Sequence, residues 1–272
     1  MIRNPAVAGQ FYPLSEELLV EQIKGFIGER KEKQEVLGVL SPHAGYVYSG
    51  KVAGETLSRI KNADSFVILG PNHTGIGREF SIVKEGVWRM PLGEVKIDNL
   101  LAKEILMQSK NLSDDPSSHM HEHSIEVQLP FLQILFGNFQ FVPITVKHYL
   151  PEENFLLVCE EIGKGIAAAI KKVHEKVVII ASSDLTHYEP QAYANKKDNI
   201  ALNAILELNP KKLFKEVKEN EISMCGFGPV AIMLFACKEL GAKKSILIDY
   251  RTSGDTTNDY EHVVGYGGVL IF

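Results

Sequence analysis

The sequence predicts a single α/β domain built on a mostly parallel central sheet flanked by helices. Apolar runs of strand length alternate with longer segments of helical periodicity, the pattern of strand–helix units. The run "VVIIA" at 177–181 is continuously apolar and largely β-branched, as a strand buried on both faces must be. No linker, low-complexity tract or internal repeat divides the 272 residues, a length that fits one large domain.

Each element has a local reason. Residues 15–29 read as a helix, with Ser15 as N-cap and Leu18, Leu19, Ile23, Phe26 and Ile27 along one side. Residues 36–40 are a buried strand, 51–60 a short helix and 65–69 the next strand. Residues 80–83 and 87–97 form a hairpin or a small excursion of the sheet. A helix covers 99–108. Another covers 124–135, with Pro130 kinking or restarting it. A strand at 139–146, a long helix at 152–172 and the central strand at 177–181 follow. Helices at 195–208 and 229–240 precede two closing strands, 245–250 and 268–272.

Composition narrows the function classes. Hydrophobic residues make up 45% and charged residues 23%, as in a soluble globular protein. A net charge of −5 and a pI near 6.0 give no electrostatic case for nucleic acid or an anionic membrane. No apolar run reaches the ~18–20 residues of a spanning helix. The opening "MIRNPAVAGQFYP" lacks the layout of a signal peptide. Three cysteines with no CxxC argue against a disulfide framework and for a reducing compartment. The expected location is the cytoplasm.

The chemistry-bearing residues cluster at strand ends. "VLGVLSPHAGYVYSG" (36–50) runs from an apolar strand into a proline and His43, and "SFVILGPNHTG" (65–75) repeats the plan with His73. In open α/β sheets, sites form beyond the carboxyl ends of strands. One short helix joins these two strands, which predicts parallel neighbours with a right-handed crossover and two imidazoles side by side. Neutral imidazole is the commonest transition-metal ligand. A lone strand-end histidine is more often structural, and it is the repetition that favours a ligand pair. Tyr46, close behind His43, either stacks on a substrate or packs.

A third strand end, "VVIIASSDLTHYEP", offers Asp184 and His187 three residues apart. They form either an acid/base with its orienting carboxylate or a turn braced by its own aspartate. "SMCGFGPVAIMLFACKEL" places Cys225 before a glycine-rich turn into a helix, where a helix N-terminus lowers a thiol pKa. Cys159 and Cys237 lie in apolar helices and read as packing residues. In "SSHMHEHSIEVQLPF", His119 and His121 read as solvated loop polarity. His123, Glu122 and Glu126 read as pocket-lining, with His123 and Glu126 at a spacing that shares a helical face.

Seven blocks, in order, resemble the Memo-like family: "NPAVAGQFYP" (4–13), "SPHAGYVYSG" (41–50), "ILGPNHTG" (68–75), "HEHSIEVQLPFLQ" (121–133), "SSDLTHY" (182–188), "MCGFGP" (224–229) and "GYGGVLIF" (265–272). The resemblance implies a fold similar to class III extradiol dioxygenases, non-haem iron enzymes with a metal held by two histidines and a glutamate. It places His43 and His73 on the ligand histidines and Cys225 where the carboxylate would stand. It places His187 on the acid/base histidine, with Asp184 beside it. It further implies iron or copper binding, redox chemistry, recognition of a phosphotyrosine peptide, and a pathway link to a radical S-adenosylmethionine protein. A homo-oligomer fits the related dioxygenases.

A thiolate in place of a carboxylate shifts metal preference toward softer ions. Fe(II) or copper is the first expectation, and zinc also fits. Three functions are therefore expected as alternatives. One is a metal-dependent oxidoreductase acting on O₂ or a small molecule. A second is a module binding a peptide or phospho-ligand in the same cleft. The third is a copper- or iron-handling protein without turnover.

Overall fold

The structure is a computed structural model that describes residues 1–28, 32–147, 150–173 and 176–272. The elements in chain order are β1 (Ile2–Arg3), α1 (Glu16–Ile27), β2 (Gly38–Ser41), α2 (Tyr46–Leu57), β3 (Ser65–Asn72), β4 (Phe80–Ile82), β5 (Val87–Met90) and β6 (Gly93–Ile97). Then come α3 (Asn99–Gln108), β7 (Ser113–Asp114), α4 (Leu129–Phe136), β8 (Gln140–Lys147), α5 (Glu153–Val173), β9 (Val177–Ser182) and β10 (His187–Glu189). The chain closes with α6 (Gln191–Leu206), α7 (Pro210–Glu219), α8 (Phe227–Glu239), β11 (Ser245–Thr252), α9 (Gly254–Thr257) and β12 (Val263–Ile271).

The sheet order β6-β8-β3-β9-β2 is parallel throughout, and β12 and β11 extend it antiparallel beyond β2. This is the expected α/β architecture. Every residue of β2, β3 and β9 is buried, so these strands need cover on both faces. A Cβ on Gly38 would meet Met233 and Cys237 of α8, whereas one on Gly268 would meet Thr56 and Val52 of α2. Gly38 pairs with Ile271, three residues from Gly268, so α8 and α2 cover opposite faces. Cys159 and Cys237 are fully buried packing residues, as expected.

One expectation about topology is corrected. β2 and β3 are not neighbours, because β9 lies between them and pairs in parallel with both. All three strands have two partners and are buried throughout, so apolarity does not decide which of them stands between the other two. The displacement brings a third strand end, Ser182 to His187, between the other two.

Boundaries moved for identifiable reasons. α2 begins at Tyr46, five residues before the expected start, and that first residue is buried in the core. β3 continues through Gly70 and Pro71 to Asn72, because Pro71 sits where the absent N–H is tolerated and its carbonyl accepts from Ser124 Oγ. Pro130 stands in the first turn of α4, so the segment 124–135 restarts there after a 3₁₀ turn at Glu126–Gln128. α7 was not expected, although Asn209 caps it by accepting from the Lys212 N–H and Pro210 opens it. Ser15 precedes α1 without a side-chain capping bond. Glu29, the expected end of that helix and the start of the charged run 29–35, lies outside the described residues. Among the described residues, no helix is long and apolar enough to cross a membrane.

Candidate metal centre

Three imidazoles converge at the carboxyl edge of β2, β9 and β3. His43, His73 and His123 each offer a donor atom, and these atoms lie within 4.8 Å of one another. His43 follows β2 by two residues and His73 directly follows β3. His123 arrives from the segment before α4, which lies so close over β3 that a Cβ on Gly70 would overlap Ser124. The rings of His73 and His123 stack, with centroids 4.7 Å apart, and His43 meets both edge-on. Sequence reasoning placed His123 only on the pocket wall. The signal available was the histidine-rich "HEHS" block immediately before the apolar run.

The proton on His43 can be located. Ser182 Oγ donates to the Ser124 carbonyl at 2.6 Å, which uses its only hydrogen. It accepts from Gln128 Nε2 at 2.8 Å, an amide end fixed because it also donates to the Pro42 carbonyl. The His43 Nδ1 atom, 3.0 Å from that hydroxyl, must therefore be the donor, and Nε2 keeps its lone pair. Burial holds His43 neutral, pushing its pKa well below the ordinary value, and the neighbouring histidines add to this.

Glu122 does the same for His73. Its carboxylate accepts from His73 N–H and from Nδ1, the latter at 3.0 Å, and from the His123 and Ser124 amides. Burial would raise the Glu122 pKa, but the bond to His73 and the charges of His73 and His123 outweigh it and hold the group down at about 2. Burial likewise works to lower the His73 pKa, and Glu122 raises it on balance. Burial pushes His123 below its ordinary value. Outward Nδ1–H bonds to a hydroxyl and a carboxylate, with Nε2 left to the site, are the usual support of metal-ligating histidine.

The remaining expected residues separate into near and far. Cys225 Sγ stands 3.3 Å from His43 Nε2 and 3.6 Å from the Asp184 carbonyl. Its expected low pKa is not found. Burial, reinforced by the Asp184 charge, pushes the thiol well above its ordinary value, and Cys225 lies two residues before the first turn of α8. Asp184 is buried, accepts from the His43 amide at 2.8 Å, and is raised by desolvation. His187 is half-buried. Its Nδ1 lies 2.9 Å from the Ser223 carbonyl, which can only accept, so Nδ1 carries the hydrogen and the neutral ring has its lone pair on Nε2. A cavity of about 500 Å³ joins His43, His73, His123, Asp184 and His187, and no lysine or arginine lines it among the described residues.

Tyr46 and Glu126 are corrections. Tyr46 does not line this cavity: its ring packs on Phe131 and Tyr12, and its hydroxyl donates to the Val127 carbonyl. As the first residue of α2 it turns into the core, while Tyr48 lines the cleft. Glu126 does not line the cavity that His123 lines. It is fully buried against Arg3 at 2.6 Å and accepts from the Ala6 and Val7 amides and Tyr12 Oη. Arg3 also reaches the carbonyls of His119 and Glu122, so this pair braces the segment that carries His123. His119 is buried rather than solvated, which holds its pKa at about 3, whereas His121 is exposed.

Comparison with known proteins places these residues in a family. The model for "Memo-like protein" matches residues 3–270. A MEMO1 family protein of Methanococcus maripaludis strain S2 is 44% identical over 100% of both chains. Those of Methanocaldococcus jannaschii and Pyrobaculum arsenaticum are 43% and 40% identical, over 99% of this chain and 99% and 98% of theirs. Among solved structures, the crystal structure of an uncharacterized protein from Escherichia coli K12 is similar in fold. Its TM-score is 0.55 at 10% identity, covering 88% of this chain and 100% of that one. Matched from end to end, the chain belongs to the Memo-like family.

Proposed function

We propose that this chain is a metal-dependent oxidoreductase of a small-molecule substrate, with one transition-metal ion held by His43, His73 and His123 and with Cys225 as a further donor. The observation that carries this is the donor set. Its imidazole donor atoms lie within 4.8 Å of one another, and two of the rings have Nδ1 tied outward, which leaves Nε2 for the group. Neutral nitrogen donors with one adjacent sulfur suit Fe(II) or copper, and zinc also fits. A bound metal would supply Lewis acidity and, for iron or copper, electron exchange.

The protein groups have separate tasks in this reading. His187, fixed as its Nδ1–H tautomer, takes a proton at Nε2 from a group bound in the cleft. Asp184 fixes the His43 loop through the main chain and faces His187 electrostatically. The absence of lysine or arginine from the described cleft wall, together with buried Asp184 and Glu122, disfavours a doubly charged phosphate ligand.

The test is metal content by elemental analysis after anaerobic purification, for wild type, His43→Ala, His123→Ala and Cys225→Ala. Near-stoichiometric iron or copper in wild type, lost in both histidine variants, supports the reading. Metal-dependent O₂ uptake that falls at least tenfold in His187→Ala supports the oxidoreductase part. Wild type that takes up neither Fe(II), Cu(I) nor Zn(II) overturns it.

A further inference from the structure

A second cavity, of about 860 Å³, shares His73 and His187 with the first and also has Cys225 on its wall. The two imidazoles therefore form the boundary between two rooms. The second room is largely apolar: Pro71, Leu150, Pro151, Val217, Ile222 and Phe227 line it. Among the described residues its charged groups are Lys218, Glu152 and Glu221, of mixed sign, which offers little to a polyanion. The volume falls in the range of small-molecule sites, roughly 300–1,000 Å³. A metal ion or O₂ alone would not require such a room.

The boundary has a defined polarity. The His187 amide donates to Ser223 Oγ and its Nδ1 to the Ser223 carbonyl, so Nε2 is an acceptor. We infer that the cavity binds the apolar body of a small, uncharged organic substrate whose protic head, an O–H or N–H, reaches His187. The head's position beside the donor group rests on the proposed metal centre; the apolar site itself does not. α7 and the turn after it, which follow no expected motif, thereby gain a role as the wall that selects the substrate body.

The test uses N-phenyl-1-naphthylamine, an uncharged apolar fluorophore with one N–H. Wild type should bind it saturably with one-to-one stoichiometry, and 1-decanol should displace it at least tenfold better than decyl methyl ether. Ile222→Trp, which fills the cavity, should weaken binding at least tenfold. Leu150→Glu, at a side chain 72% exposed, should do the same. Leu18→Ser on the outer side of α1 should bind as wild type does. His187→Ala should retain the fluorophore but lose the preference for the alcohol. Equal affinity in wild type and both cavity variants, or no saturable binding, overturns the inference. Metal content measured on the same samples separates the two claims: probe binding by a wild type that takes up no metal sinks the metal reading alone.

Discussion

Ser182 Oγ is 3.0 Å from His43 Nδ1 and has already given its hydrogen to the Ser124 carbonyl. A fully buried serine thus decides which nitrogen of His43 is bare. Ser182→Ala removes the acceptor and lets the ring exchange tautomers or rotate. Zinc affinity, measured by competition with a chromophoric chelator, should fall about 10–100-fold. Gln128→Ala should act in the same direction more weakly, because it leaves the serine in place. Unchanged affinity in both would mean that His43 does not bind through Nε2.

Glu122 sets an acid limb. Its folded pKa is held at about 2, below the ordinary 4.5, so its contribution is present above pH 4.5 and is lost as pH falls toward 2. The expected size is on the order of 3 kcal/mol. Urea unfolding in the presence of EDTA between pH 5 and 2.5 should show a steeper loss in wild type than in Glu122→Gln. Parallel curves would remove Glu122 as the cause.

Removing one side of the Arg3–Glu126 pair should be severe. Glu126→Leu leaves a buried guanidinium uncompensated, at about 3–5 kcal/mol by chemical denaturation. Adding Arg3→Met should not restore the loss. The Ala6 and Val7 amides and Tyr12 Oη would still need the acceptor that Glu126 supplies. Full recovery in the double variant would show that these three bonds contribute little.

Cys225 should be a slow nucleophile in the metal-free protein despite its half-buried position. Burial and the Asp184 charge keep it a thiol at neutral pH. Alkylation by iodoacetamide at pH 7.5 should run at least tenfold slower than for free cysteine, and Asp184→Asn should speed it. A rate equal to that of free cysteine would contradict the raised thiol pKa.

Gly226 tests how tightly this corner is built. A Cβ there would overlap Ser183, whose hydroxyl accepts from the Gly226 amide. Gly226→Ala should cost about 1–3 kcal/mol. It should also loosen the Cys225–His43 approach, read as faster alkylation of Cys225. Stability within error of wild type would show that the loop has room to move.

The fold class was legible because burial on both faces writes itself as continuous apolar runs, as in β9. The strand-end histidines were legible because sites lie beyond carboxyl ends of parallel strands. Strand order was not, since "VLGVL" and "VVIIA" are both buried strands with two partners, and their apolarity does not say which lies beside β3. Tyr46 and Tyr48 are two residues apart, and only the start of α2 decides which one faces the cleft. Glu126 looked like a helical companion of His123, and its real partner, Arg3, lies 123 positions away where no local spacing announces it. Gln128 carried no signal, because an amide that orders a serine is defined only by its neighbours in space.

The approach of His43 to Cys225 joins positions 182 residues apart. His73 and His123 lie in further, separate segments. The unfolded chain carries one local histidine run, His119, His121 and His123, but His43 and His73 reach it only by closure of loops on this scale. The cluster is thus a product of the whole fold, and any damage that separates the strand ends would disperse it without touching a single one of its side chains.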